Sequence, residues 1–156
     1  MKIESRYNHL SAVEIIKSKS QIAEEVESIF NNSTIKFFRG LTKSTKKDIN
    51  TRFNNYGWAD KIRVGTERSR LTISFLKSRV GICVQFGNVS RTYADILKLC
   101  YLGNNGIIDA GIIAVPSQVE SRKLGTNYAR YDRLEREFEL FRSIINIPVL
   151  VLGLSN

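Results

Sequence analysis

Hydrophobic positions along the chain change period several times, and each change marks an element. Val13, Ile16, Ile22, Ala23, Val26, Ile29 and Phe30 recur at mostly helical spacing behind Ser11, a favoured capping residue, and stop at Asn31, Asn32 and Ser33. The spacing predicts one amphipathic helix over residues 11–30. Residues 34–38 are short and β-rich and run into Gly40, which predicts a strand. Ile49 and Phe53 stand four apart inside the polar run 44–55, predicting a helix closed by Gly57.

Residues 61–64 and 70–76 flank Gly65, Thr66, Glu67, Arg68 and Ser69, a spacing that suits a hairpin-like connection between two strands. Residues 80–86 are almost all apolar, as expected of a strand buried on both faces. Gly87 and Asn88 break the chain before Tyr93, Ile96, Leu97, Cys100 and Tyr101, whose spacing marks a helix. A second buried strand over 107–115 is stopped by Pro116, and 127–145 is the longest helical pattern, with Leu134, Phe138, Phe141 and Ile145 on one face. Residues 148–152 give a last strand. Both prolines fall at strand ends, where no ladder N–H is lost. Helices thus alternate with central strands, the pattern of an α/β or α+β domain whose sheet is covered on its faces. No repeat or low-complexity tract divides the chain, so residues 1–156 are expected to form a single domain.

Composition adds one strong signal, which is charge. Apolar residues at 42% and charged residues at 25% are ordinary globular usage. However, 24 Lys and Arg against 15 Asp and Glu leave a net +9, which favours a polyanionic partner such as nucleic acid or an acidic membrane surface; solubility alone is the competing explanation. Cys83 and Cys100 lie in apolar surroundings with no second pair near them, pointing to neither a zinc site nor a disulfide and fitting a reduced, cytoplasmic setting. The first ten residues hold no apolar core of signal-peptide length, and no run approaches the roughly 18 apolar residues of a membrane span. Neither export nor membrane insertion is expected.

The informative segment runs from Thr72 to Gly87. Alternation along two adjacent strands would set positions 83 and 85 on one face, beside the strand bearing Ser74. Here the chain resembles the BglII and BstYI type restriction endonucleases of the PD-(D/E)XK superfamily. Lys77, Ser78, Arg79, Val80 and then Val84, Gln85, Phe86, Gly87 resemble that family's valine-rich strand ending in Glu-Val-Gln-Phe-Gly. Tyr7, Asn8, His9 and Leu10 resemble its Tyr-x-His-Leu, and Asn50, Phe53, Gly57 and Trp58 its Asn-x-x-Phe helix closed by Gly-Trp. Ile108, Asp109, Ala110, Gly111 and Pro116 resemble its Ile-Asp-Val-Gly strand, and residues 148–153 its closing strand. The resemblance implies a central mixed sheet flanked by helices, double-stranded DNA as partner, a homodimer acting on short palindromes containing GATC, and a role in restriction and modification. The chain is shorter than those enzymes, mainly between about residues 65 and 71.

The site departs from the pattern. Carried over by the resemblance, the family's metal-binding Asp falls on Ser74, its Glu on Cys83, and its third catalytic position, Gln, on Gln85. Magnesium prefers carboxylates to a hydroxyl or a buried thiol, so two-carboxylate metal catalysis is expected to fail and no cofactor is expected, with magnesium implied only for an active enzyme. Rescue would need carboxylates from elsewhere, with Glu67, Asp95 and Asp109 near in sequence. His9 reads as a hydrogen-bonded structural group. Basic residues cluster from Lys36 through Arg39, Lys43, Lys46, Lys47, Arg52, Lys61, Arg63, Arg68, Arg70, Lys77 and Arg79, with Arg91 and Lys98 beyond. Of these Lys43, Lys46, Lys47, Arg63, Arg68, Arg70, Lys77 and Arg91 are the candidate DNA contacts, against the alternative of a solvated face. The expectation is a DNA-binding pseudonuclease. An active endonuclease with a rearranged metal site and a protein-interaction module that inhibits an active relative stay open as alternatives.

Overall fold

The structure is a computed structural model that describes residues 1–38, 40 and 43–156 together with the backbone of Thr42. In chain order the elements are β1 (Lys2–His9), α1 (Ala12–Ser18), α2 (Ile22–Phe30), α3 (Thr42–Asn55), β2 (Ala59–Arg63), β3 (Thr72–Lys77) and β4 (Val80–Val84). They continue with α4 (Ser90–Asn104), β5 (Ala110–Pro116), α5 (Gln118–Leu124), α6 (Tyr131–Leu140) and β6 (Val149–Ser155). The strands form one mixed sheet in the order β1-β6-β5-β4-β3-β2. β4, β5 and β6 run parallel in its centre, and antiparallel strands close both sides. The apolar composition of the parallel trio requires cover on both faces, and every residue of these three strands is buried.

Alternation along the central strands feeds two cores. Val80, Ile82, Val84, Ile112, Leu150 and Leu152 face α1, α2 and α3, where they meet Ile16, Val26, Phe30, Ile49 and Phe53. Cys83, Ile113, Val149 and Val151 face the other way, toward Ile96, Leu99 and Leu102 of α4 and Leu134 and Phe138 of α6. The result is a helix, sheet, helix sandwich, as the alternation of elements predicted.

Four sequence expectations change. The helix expected over 11–30 is two helices, because Gln21 adopts a left-handed backbone (φ +63°) and turns the chain between them. Ser11 is also left-handed and its side chain caps nothing; the Asn8 side chain accepts from Val13 N at 3.0 Å instead. Residues 34–38 form no strand. Ile35 and Phe37 alternate into the core as a strand would, but the Asn156 side chain holds the Phe37 N–H (2.6 Å) and carbonyl (3.1 Å) in place of a ladder. The long helix over 127–145 shrinks to α6, and β1 and α5 were not anticipated. β1 is an edge strand whose outward Lys2, Glu4, Arg6 and Asn8 disguise its alternation, the usual protection of an open edge.

Candidate functional site

β3 and β4 pair from Lys77↔Val80 to Phe75↔Ile82 and then part. The Ser74 hydroxyl spans the opening, accepting from Val84 N at 2.9 Å. The parting leaves a cleft of about 220 Å³ lined by Lys46 and Asn50 of α3, Asp60 and Lys61 of β2, Thr72, Ile73 and Ser74 of β3, Val84 and Gln85 at the end of β4, and Asp95 and Lys98 of α4. Lys61 holds a left-handed backbone (φ +50°) in mid-strand, where a non-glycine residue is strained by roughly 1–2 kcal/mol. Strain of this kind collects at functional sites.

Within the cleft the polar groups are paired in a chain. Asp95 is buried; its Oδ1 lies 2.5 Å from the Lys98 ammonium and its Oδ2 accepts from Gln85 Nε2 at 3.0 Å. Lys98 also donates to the Thr72 carbonyl at 2.8 Å, and Gln85 Oε1 accepts from Gly87 N at 3.1 Å. Cys83 lies beneath, 2% exposed. Burial pushes its thiol well up, and the neighbouring Asp95 carboxylate acts in the same direction, so the sulfur stays protonated. Lys46 is pushed down by burial, against the attraction of Asp95, with Arg91 and Lys98 adding to the lowering.

Ser74, Cys83 and Gln85 are therefore brought to one place, as alternation anticipated. The surrounding acids divide. Among the three carboxylates considered for rescue, only Asp95 enters the cleft. Glu67 lies in the exposed β2–β3 loop, where its backbone carbonyl accepts from Arg63 at 3.0 Å. Asp109 stands before β5, bonded by Arg79 at 2.7 and 2.9 Å and by Lys19, and those two cations hold its carboxyl at about 2. Asp60, which sequence reasoning missed, completes the cleft's acids. Its only sequence signal was its position two residues after Trp58, at the start of the strand facing Ser74.

The basic residues also sort by position. Lys43, Lys46 and Lys47 lie on α3, and Arg91 opens α4 near enough to Lys46 to depress it. Arg63, Arg68 and Arg70 sit on the hairpin whose strands line the cleft. Lys77 is different: its ammonium bonds both Glu25 oxygens (2.7 and 2.9 Å) and the Tyr56 carbonyl (2.7 Å) on the α2 side of the sheet. Arg39 lies outside the described residues. His9 is 1% exposed; its Nε2 donates to the Ile145 carbonyl at 2.7 Å, a structural position.

The cleft does not fit magnesium as its residues stand. An octahedral oxygen site needs several free carboxylate oxygens, yet Ser74 is already an acceptor, Cys83 is a protonated thiol and both Asp95 oxygens are engaged, which leaves Asp60 as the one lining carboxylate outside an ion pair among the described residues. No group of three or more His, Cys, Asp or Glu side chains converges anywhere among the described residues.

The family model for restriction endonuclease BglII/BglIII matches residues 5–154. No curated protein sequence matches the chain. Among solved structures it is similar to the crystal structure of restriction endonuclease BglII complexed with a DNA 16-mer, with a TM-score of 0.83 and 15% identity over 100% of this chain and 77% of that one. It is also similar to the crystal structure of free BglII, with a TM-score of 0.71 and 17% identity over 100% of this chain and 80% of that one. These likenesses confirm the restriction-endonuclease-like sheet anticipated from the Val84 to Gly87 motif. With the family model spanning nearly every residue, the chain belongs to the BglII/BglIII restriction endonuclease family.

Proposed function

We propose that this protein binds duplex DNA as a homodimer and does not cleave it by the two-carboxylate magnesium chemistry of its superfamily. The observation that carries the reading is the state of the cleft: Ser74 and Cys83, onto which the resemblance carries the family's acids, are a hydroxyl and a protonated thiol, and the buried Asp95 carboxylate beside them is neutralised by Lys98. Lys43, Lys46, Lys47 and Arg91 on one side, with Arg63, Arg68 and Arg70 on the hairpin, supply phosphate contacts that hold register without reading bases. DNA as the partner is supported by the net charge of +9 and by the DNA bound in the BglII relative.

A dimer face is supported by exposed apolar side chains. Tyr93, Leu97 and Tyr101 recur every four residues on the outside of α4, and Leu140, Phe141 and Ile144 follow on and after α6. Tyr93 donates to Glu137 at 2.7 Å, so the two helices present one surface. Exposed apolar side chains on neighbouring helices are the kind of surface that marks an association site.

The experiment is a cleavage assay on plasmid and on GATC-containing duplexes with magnesium or manganese, run beside a gel shift on the same DNA. Binding without cutting by the natural chain, and cutting by a Ser74→Asp, Cys83→Glu, Lys98→Met variant, is the expected result. A second reading, an active endonuclease, draws on Asp60 and Asp95 sharing the cleft. It requires Lys98 to leave Asp95 when metal enters. Cleavage by the natural chain would select that reading.

A further inference from the structure

The Lys98 side chain occupies a setting built for a cation. Its ammonium is held by a buried carboxylate oxygen (2.5 Å) and a backbone carbonyl oxygen (2.8 Å), and the side chain is 13% exposed. Carboxylate and carbonyl oxygens converging on one point are the donor set of a hard metal ion. The donors come from two elements, α4 and β3, meeting where the sheet opens. We propose that the Lys98 ammonium is a tethered replacement for a divalent cation, so that this cleft takes a DNA backbone phosphodiester without metal. The idea rests on the DNA-binding reading above and adds a mechanism for it.

Charge arithmetic supports the assignment. The cleft holds three ammonium groups, Lys46, Lys61 and Lys98, against two carboxylates, Asp60 and Asp95, for a net of +1. A buried carboxylate facing a phosphate would repel it strongly in a low-dielectric cleft, and a metal ordinarily cancels that repulsion. Here Lys98 cancels Asp95 from the same helix, three residues away. Lys46 and Lys61 form no ion pair among the described residues and line the same 220 Å³ cleft, which leaves their charge for the phosphate. A cleft of that size admits a phosphodiester group. Gln85, bonded to Asp95 Oδ2, fixes the carboxylate's rotation so that Oδ1 stays on Lys98. The polar chain from Gly87 N through Gln85 and Asp95 to Lys98 and Thr72 is complete without any further ion.

Calcium serves as the probe because it takes oxygen ligands and lets metal binding be read apart from strand cleavage. The natural chain is expected to bind duplex with the same Kd, within twofold, in EDTA and in calcium at matched ionic strength, and its melting temperature is expected to ignore calcium. Lys98→Met frees Asp95 and exposes the oxygen donors, so calcium should then raise the melting temperature, by about 5–10 °C at a concentration a hundredfold above Kd. Lys98→Arg keeps the positive charge and Lys98→Met with Asp95→Asn removes the acid, so both should stay calcium-silent. If Lys98→Met is too unstable to purify, the comparison of Lys98→Arg with Lys98→Gln carries the same contrast. Tenfold tighter DNA binding by the natural chain in calcium overturns the tethered cation, as does a Lys98→Met or Lys98→Gln protein that ignores calcium. Failure to bind duplex under any condition overturns the DNA-binding reading itself and is a different result.

Discussion

Replacing Lys77 by Met isolates a buried ion pair from the proposed DNA-binding face. Lys77 donates twice to Glu25, which also accepts from Trp58 Nε1 at 2.7 Å, and the Glu25 side chain is only 9% exposed. Removing one partner of a buried pair costs about 3–5 kcal/mol, because the remaining charge has no counterion. Two features reduce that figure here: the Lys77 side chain keeps 28% exposure, and Trp58 still bonds Glu25. A loss of about 2–3 kcal/mol follows, which for a domain of this length lowers the melting temperature by roughly 5–10 °C. Differential scanning calorimetry gives that number. The salt dependence of DNA binding, measured well below the melting temperature, should keep its slope, since no phosphate contact is lost. A Lys77→Met, Glu25→Gln double variant should recover part of the stability by removing the stranded charge. A Lys77→Met protein melting within about 2 °C of the natural chain would refute the buried-pair argument. A salt slope reduced by about one would make Lys77 a phosphate contact after all.

The remaining predictions concern the outer helices and the acid limb of stability. Leu97→Glu sets a charge in the middle of the exposed α4 stripe, so if the proposed dimer forms through that face, light scattering should report dimer for the natural chain and monomer for the variant. Dimer retained in that variant would move the interface elsewhere. Asp109 has its folded pKa held at about 2, below its ordinary 3.8, chiefly by the Arg79 hydrogen bonds and then by Lys19. A depressed carboxyl stabilises the fold above its unfolded pKa, and that contribution is lost as pH falls from 3.8 toward about 2. Urea unfolding across that window should therefore steepen in the natural chain and flatten in Asp109→Asn. Equal slopes for the two proteins would contradict the assignment.

Legibility followed the strength of burial. Residues 80–86 and 107–115 were readable because strands buried on both faces leave no room for polar side chains, and the structure sets them side by side as β4 and β5. Ile49, Phe53 and Gly57 were enough for α3, since Gly57 does adopt a positive φ (+76°) after it. β1 was hidden by its polar outer face. Residues 34–38 misled for the opposite reason, because alternating burial of Ile35 and Phe37 arises without a partner strand once Asn156 satisfies the backbone. At the site, Ser74, Cys83 and Gln85 could be found through the motif that ends in Phe86 and Gly87. Asp60 and the Lys98 linkage could not, because they depend on where β2 and α4 fall across the opening of β3 from β4, which no local pattern encodes.

α4 carries three duties on three sides of one cylinder. Leu99 packs inward, Asp95 and Lys98 turn to the cleft, and Tyr93, Leu97 and Tyr101 face outward. A helix turns about 100° and rises about 1.5 Å per residue, so these groups cannot shift relative to one another without unwinding it. Gly111, whose missing Cβ would stand 2.8 Å from Leu99 Cδ1, lets the helix seat tightly on β5 and leaves little slack. Whatever grips the outer face consequently sets the position of the Lys98 ammonium as well. If the proposed dimer forms through that face, assembly and charge placement are tied to one rigid helix.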